Sequence, residues 1–218
     1  MARTLWLYTA LASAALVLGC GAKKPPKPPE PTTVEPAPEL AERAPPPPKK
    51  KCEALDEACK ALAGTKARVP HGPFTIEPVS GWIYAQLETA TVAQTSPTGP
   101  CLAAVGFDPG DAKDAKKELA NREAALEVAV KEAGLTLPKK KVGWKKPDEK
   151  KDVHGLKVRL WQVEGGARSD KKGDVLVFDA TAADGKAALL GVGFVPKDDG
   201  SNADQAIMRA IESIEASQ

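Results

Sequence analysis

The chain has 218 residues, with 31 Lys plus Arg against 29 Asp plus Glu, 20 prolines and four cysteines. So even a balance carries no global field for a polyanion and argues against a nucleic-acid binder. Once the proline-rich N-terminal part is set aside, about 165 residues remain, enough for one domain with a real core.

Arg3 precedes an apolar run from Leu5 to Leu18 broken only by Thr9 and Ser13. As a helix those residues reach ~21 Å, short of the ~30 Å hydrocarbon core, so a removable secretory signal is expected and not a permanent span. Val17-Leu18-Gly19-Cys20 resembles the bacterial lipobox, with an aliphatic residue three before an obligatory Cys and a small residue just before it. The resemblance implies that the peptide is cut before Cys20, that the Cys20 sulfur carries diacylglycerol, and that the new amino group is acylated. A thiolate is the nucleophile such a thioether needs. Two or three acyl chains, at ~0.8 kcal/mol per buried CH₂, anchor a protein stably without a helix. Gly21 and Ala22 follow the cysteine, with no Asp there. In the lipoprotein sorting scheme an Asp holds the protein at the inner membrane, so the outer membrane is expected, with the domain facing the periplasm or cell surface.

Between Lys23 and Pro48 eleven residues are proline, interspersed with Lys, Glu and Thr. This composition buries no core and favours polyproline II, a stiff spacer of up to ~90 Å at ~3.1 Å per residue. The expected organisation is a signal peptide over residues 1–19, a lipidated Cys and linker over 20–51, a short amphipathic helix over 52–66 and one globular, monomeric domain over 67–218.

Three cysteines, Cys52, Cys59 and Cys101, remain for an oxidising compartment, so at most one internal disulfide forms. Cys52, Leu55, Cys59 and Leu62 make a helical stripe, and residues seven apart on a helix lie ~10.5 Å apart, beyond the ~7 Å disulfide limit. A Cys52–Cys59 bond therefore requires the chain at Cys52 to leave the helix. Cys59–Cys101 is the rival, and three buried thiols are the third reading.

After Gly64, strands are expected at Phe74–Ile76, Trp82–Leu87, Thr91–Gln94 and Leu102–Phe107. Asp108-Pro109-Gly110 then opens the clearest helix, with Ala115, Leu119, Leu126, Val130 and Ala133 at helical spacing, Asp111 and Asp114 at its start and Gly134 as its stop. Arg122 and Glu123 interrupt that stripe, which suits a helix covering a sheet. Four more strands are read at Val142–Trp144, Leu156–Val163, Val175–Phe178 and Ala187–Val195. Ser201-x-x-Asp204 reads as a capping box for a last helix with Ile207, Ala210, Ile211 and Ile214 on one face. Hairpin-length links on both sides of the long helix exclude strict βαβ alternation. The fold class is α+β: an antiparallel sheet covered by a long central helix and a C-terminal helix. The Phe-x-Ile-x-Pro-x-x-Gly-Trp opening from Phe74 to Trp82, the central helix and the terminal Ala-Ile-x-x-Ile helix resemble the Mog1/PsbP-like fold over about residues 68 to 216. The resemblance implies a non-enzymatic binding or assembly protein, and it transfers no functional residue.

Chemistry is sparse. His71 and His154 each stand beside a glycine in an expected turn, neither in a zinc motif. No nucleophile elbow, Walker loop or dinucleotide fingerprint occurs; Gly191-Val192-Gly193 lies inside a strand pattern and marks close packing or a bulge. No catalytic, cofactor-binding or metal-binding residue is assigned. Lys139, Lys140, Lys141, Trp144, Lys145 and Lys146, followed by Lys150 and Lys151, form either a soluble edge or an anion-facing patch for an envelope protein or an anionic cell-wall polymer. The expected function is a lipid-anchored, non-catalytic envelope binding module. The alternative is an envelope hydrolase or transferase whose carboxylate site forms only in three dimensions.

Overall fold

The structure, a computed structural model, describes residues 51–110, 114–139 and 142–217. Cys20 with its lipobox, the linker up to residue 50, Asp111, Lys140 and Lys141 lie outside the described residues. In chain order come β1 (Ala67–Val69), β2 (Phe74–Ile76), β3 (Ile83–Gln86), β4 (Thr91–Gln94), β5 (Cys101–Phe107), the helix α1 (Ala115–Glu132) and β6 (Leu135–Thr136). They are followed by β7 (Glu149–Val153), β8 (Leu156–Arg168), β9 (Lys171–Thr181), β10 (Ala188–Pro196), the helix α2 (Ala203–Glu212) and β11 (Glu215–Ala216). The α+β reading holds: a large antiparallel sheet in the order β3-β4-β5-β10-β9-β8-β6, with β7 also on β8, and a small sheet β1-β2-β11.

Strand β10 is central, and its run Ala188 to Phe194 is buried on both faces, which is why its sequence is continuously apolar and does not alternate. On one face α1 sets Ala125, Ala129 and Ala133 over Val105, Leu190, Val192 and Phe194. On the other, α2 and the small sheet cover Leu160, Phe178 and Leu189 with Ile207, Ile211, Ile214, Phe74 and Ile76. Fully burying each such side chain contributes ~1.5–3 kcal/mol. Gly193 has no side chain because a Cβ there would lie 2.7 Å from Ile207 Cγ2, and at Gly191 it would overlap the Phe178 ring. The expected close packing thus lets α2 approach β10 and lets the Phe178 ring of neighbouring β9 lie over Gly191.

The structure corrects four local expectations. The buried stripe of α1 is Arg122, Ala125 and Ala129, while Leu119 is exposed; the helix is rotated so that its small residues meet the sheet. Val142–Trp144 is not a strand: Trp144 N donates to Val142 O and Lys146 N to Gly143 O, closing turns between Pro138 and Pro147. The capping box does not form, because Ser201 Oγ donates to Asp199 and the N-cap is Asn202, without a side-chain bond.

The fourth correction concerns residues 52–66. They form no α-helix, only a 3₁₀ turn Glu57–Cys59 whose Ala58 N–H donates to Asp56 Oδ1 at 2.9 Å. The chain instead runs along the edge strand β3: Gln86 N donates to Cys52 O at 2.7 Å, Ala61 N to Trp82 O at 2.8 Å, and Lys60 bridges Ile83. An open edge is a row of unmet backbone groups, and this segment meets them. Leaving the helix brings the Cα atoms of Cys52 and Cys59 to 5.7 Å, and the two are disulfide-bonded, with Cys101 free and buried. The segment belongs to the compact unit spanning residues 48–218. Replacing Cys52 and Cys59 by Ala is expected to cost about 2 kcal/mol, the chain entropy of so short a loop; urea unfolding of oxidised wild type against the double variant measures it.

Candidate functional site

Strand β9 carries Asp179 between Phe178 and Ala180, on the face that α1 covers, with no solvent exposure. Directly across the ladder stands Arg159 of β8, which donates from Nε to Oδ1 at 2.9 Å and from Nη2 to Oδ2 at 2.7 Å. From above, α1 lowers Arg122, whose Nε lies 3.2 Å from Oδ2 while its Nη2 donates to Glu118 at 2.7 Å. Burial pushes the Asp179 carboxyl above its ordinary range, and Arg159, then Arg122, pull against that. Desolvation pulls the Arg159 pKa down, but its bonds to Asp179 more than offset this and the net shift is upward.

The two guanidiniums also position the loop that carries the lysines. Arg122 lies 5.5 Å from the Trp144 ring centroid and Arg159 5.7 Å from that of Trp161. The two indoles meet edge to face at 5.2 Å, and Trp161 Nε1 donates to Gly143 O at 3.1 Å. Trp144, expected on a strand, is therefore a half-buried plug that fixes the turn on the α1 face. Lys139, Lys145 and Lys146 are exposed around it, whereas Lys151 is engaged by Glu149 and Glu212. The buried Asp179 centre was missed in the sequence; its signal was one acid inside the apolar run from Val175 to Ala182.

A second buried cation, Arg168, closes the far end of β8. Its Nε donates to Ala133 O at the end of α1 at 2.8 Å, its Nη1 to Ser96 O and Gly99 O at 2.8 Å each, and its Nη2 to Gln94 Oε1. A helix C-terminus suits a cation, so this side chain binds α1 to the β4–β5 turn. Beside it Cys101 Sγ approaches Ala133 O at 3.8 Å; burial pushes its thiol up to about 11, against the opposing charge of Arg168. His71 and His154 both sit at positive φ in exposed turns, and His154 Nδ1 lies 3.0 Å from Ile214 O.

The opposite face holds an open groove of about 810 Å³. It lies between β8, β9 and β10 and the α2 residues Asp204, Ile207 and Met208. Cross-strand pairing sets two rows there: Gln162, Leu176 and Gly193, then Glu164, Asp174 and Val195. Leu160, Ile207 and Met208 complete an apolar floor, and six carboxylates line the groove against one cation, Lys197. A shallower depression of about 360 Å³ lies between His71, Phe107 and α1.

No protein-family model matches the chain, and no curated protein does. Among solved structures it is similar to a crystal structure from Bacteroides thetaiotaomicron VPI-5482, at 16% identity and a TM-score of 0.43, over 72% of this chain and 50% of that one. The chain thus spans half the length of that protein. It is also similar to a mutant form of protein Mog1, at 13% identity and 0.40 over 70% of this chain and 95% of that one. Similarity to the Saccharomyces cerevisiae Ran-binding protein Mog1p is at 13% and 0.40, over 72% and 96%. These are likenesses of fold.

Two outcomes follow from the buried groups. Arg159→Met is expected to lower stability by about 2–3 kcal/mol at neutral pH, less than the ~3–5 for breaking a fully buried pair because Arg159 keeps 30% of its side chain exposed. The variant raises the Asp179 pKa further, so the deficit should shrink as pH falls through that raised value and the carboxyl becomes neutral. Urea unfolding of both forms at neutral and mildly acid pH reads the sign. Cys101, with its high pKa and full burial, should stay unmodified by a maleimide at pH 8 in the folded chain and react once urea unfolds it, as mass spectrometry will show.

Proposed function

We propose that this protein is a lipid-anchored bacterial envelope lipoprotein whose folded domain acts as a non-catalytic binding module, held off the membrane by the proline-rich linker. The observation that carries the reading is the lipobox Val17-Leu18-Gly19-Cys20 at the end of an apolar stretch too short to span a bilayer. Cys20 carries the lipid, and the missing Asp after it favours the outer membrane. Among the described residues no helix is long and apolar enough to cross a membrane.

Two features of the domain support the binding reading. Among the described residues the one fully buried carboxylate, Asp179, is taken up by two guanidiniums, and the sheet carries an open groove with an apolar floor. The exposed Lys139, Lys145 and Lys146, fixed in place by Trp144, provide a positive patch for an acidic envelope protein or a cell-wall polymer.

Cys20→Ala should leave the precursor uncut and the protein without lipid. Mass spectrometry of the membrane fraction must find, in the wild type, an acylated peptide beginning at Cys20; cleavage at another bond would remove the lipoprotein reading.

A further inference from the structure

We infer that the groove beside α2 is a docking site for an extended, arginine-bearing peptide segment of a partner protein. This deepens the binding-module reading and rests on it, and it names the partner's chemistry at one face of the domain.

The first observation is the pair at the groove's centre. Glu164 and Asp174 are direct cross-strand partners, so both side chains project from one face side by side. Like charges directly opposite each other destabilise a sheet. Among the described residues no Lys or Arg reaches ion-pair distance of Glu164, Asp174 or Asp204. Of the other acids lining the groove, Glu149 is paired with Lys151, Asp148 Oδ2 accepts from Gln162 N at 2.7 Å, and Asp199 accepts from Ser201. Of the six acids only Glu149 is thus ion-paired; Asp148 and Asp199 have neutral donors, and Glu164, Asp174 and Asp204 have no side-chain partner among the described residues. The Glu164–Asp174 pair is held in place by the bulge that follows at Gly165, where φ is 80° and the register shifts before Gly166. A bulge next to a binding face re-aims the side chains at its edge.

The second observation is the floor. Leu176, Val195 and Met208 are only half-buried against the core and open into the groove, with Leu160 and Ile207 behind them. An acidic rim over an apolar floor complements a segment that alternates a cation with an apolar side chain. Guanidinium fits better than ammonium, because its planar fork of donors engages two neighbouring carboxylates at once, where an ammonium is a point charge. A free metal cation would leave the apolar floor uncovered. The exposed Lys139, Lys145 and Lys146 lie on the α1 side of the sheet and attract the opposite charge, so the two faces select different partners.

The test uses the full-length chain in detergent and fluorescence anisotropy of a labelled peptide, Gly-Arg-Leu-Arg-Leu-Arg-Gly, with versions carrying Lys or Glu in place of Arg. Salt-sensitive binding is expected, weaker for the Lys version and absent for the Glu version. Glu164→Gln combined with Asp174→Asn should weaken the Arg peptide at least tenfold while leaving the thermal midpoint unchanged or raised, because the like-charge pair is gone. Equal binding by wild type and double variant overturns the proposal, as does a Lys peptide that binds as tightly as the Arg peptide. Two other occupants would also overturn it. One is the chain's own linker, if removing residues 21–29 tightens binding of the Arg peptide tenfold. The other is a second copy, if sedimentation shows a dimer that the double variant abolishes. None of these readings depends on whether Cys20 carries lipid, so failure here and failure of the lipoprotein reading are separate results.

Discussion

A carboxylate in the middle of a covered sheet face has to be neutralised where it stands, and that requirement falls on Asp179. Desolvating it is costly, and one cross-strand guanidinium repays the cost only in part. The second guanidinium, Arg122, comes from α1, so the helix is rotated until Arg122 faces the sheet and Leu119 faces water. The apolar periodicity of α1 alone would have turned it the other way. Arg122 is itself almost wholly buried, and its outward side is closed by the Trp144 ring. The turn from Val142 to Pro147 is therefore held by a chain of dependence that begins at one aspartate. Such a centre contributes little net stability, but it fixes the rotation of α1 and the placement of a loop that has no ladder of its own.

Arg168 solves the complementary problem at the C-terminal end of the helix. The last carbonyls of α1 and those of the β4–β5 turn need donors, and a buried guanidinium supplies them in one side chain. With Arg122 near the middle and Ala133 O at the end, α1 is tied to the sheet by two sets of polar bonds and by the alanines between them. Alanines allow close approach but bring little area, so the polar ties determine how the helix lies on the sheet.

How much of this was legible depended on whether the determining partner was local. Phe74–Ile76 and Thr91–Gln94 were read to the residue, and β5 and β10 nearly so, because a strand buried on one or both faces announces itself in its own sequence; β8 and β9 were read short, as Leu156–Val163 and Val175–Phe178, because the β8–β9 hairpin continues past the apolar run through Glu164, Asp174 and Lys171. The α1 limits were legible too, since Asp114 caps Lys117 N and Gly134 ends the helix at positive φ. The rotation of α1 was not, because it is set by Asp179 some sixty residues on. β1, β6, β7 and β11 were missed because short strands draw their stability from partners elsewhere in the chain. Cys52–Ala63 had helical spacing, but a helix of only twelve residues is marginal by itself and loses to the open edge of β3 and a disulfide. In the groove each acid was visible singly; that Glu164 faces Asp174 requires the β8–β9 register, which no local pattern encodes.

The sheet face under α2 connects the fold to the site. Strands β8 and β9 run for 13 and 11 residues, while α2 has only 10, rising about 1.5 Å each against about 3.4 Å for a strand residue. This face is roofed by α2 together with the small sheet, and the groove lies over the part of β8, β9 and β10 beside α2. On an ordinary surface that stretch would carry mixed charges over a polar face. Here the floor stays apolar through Leu176 and Val195 while the cross-strand row above it is doubly acidic, so repulsion between Glu164 and Asp174 persists in the unbound domain. A cationic side chain laid between them removes that repulsion and covers the floor in the same step. The same stretch of sheet that sets two carboxylates side by side is what gives the proposed docking face its selectivity by charge.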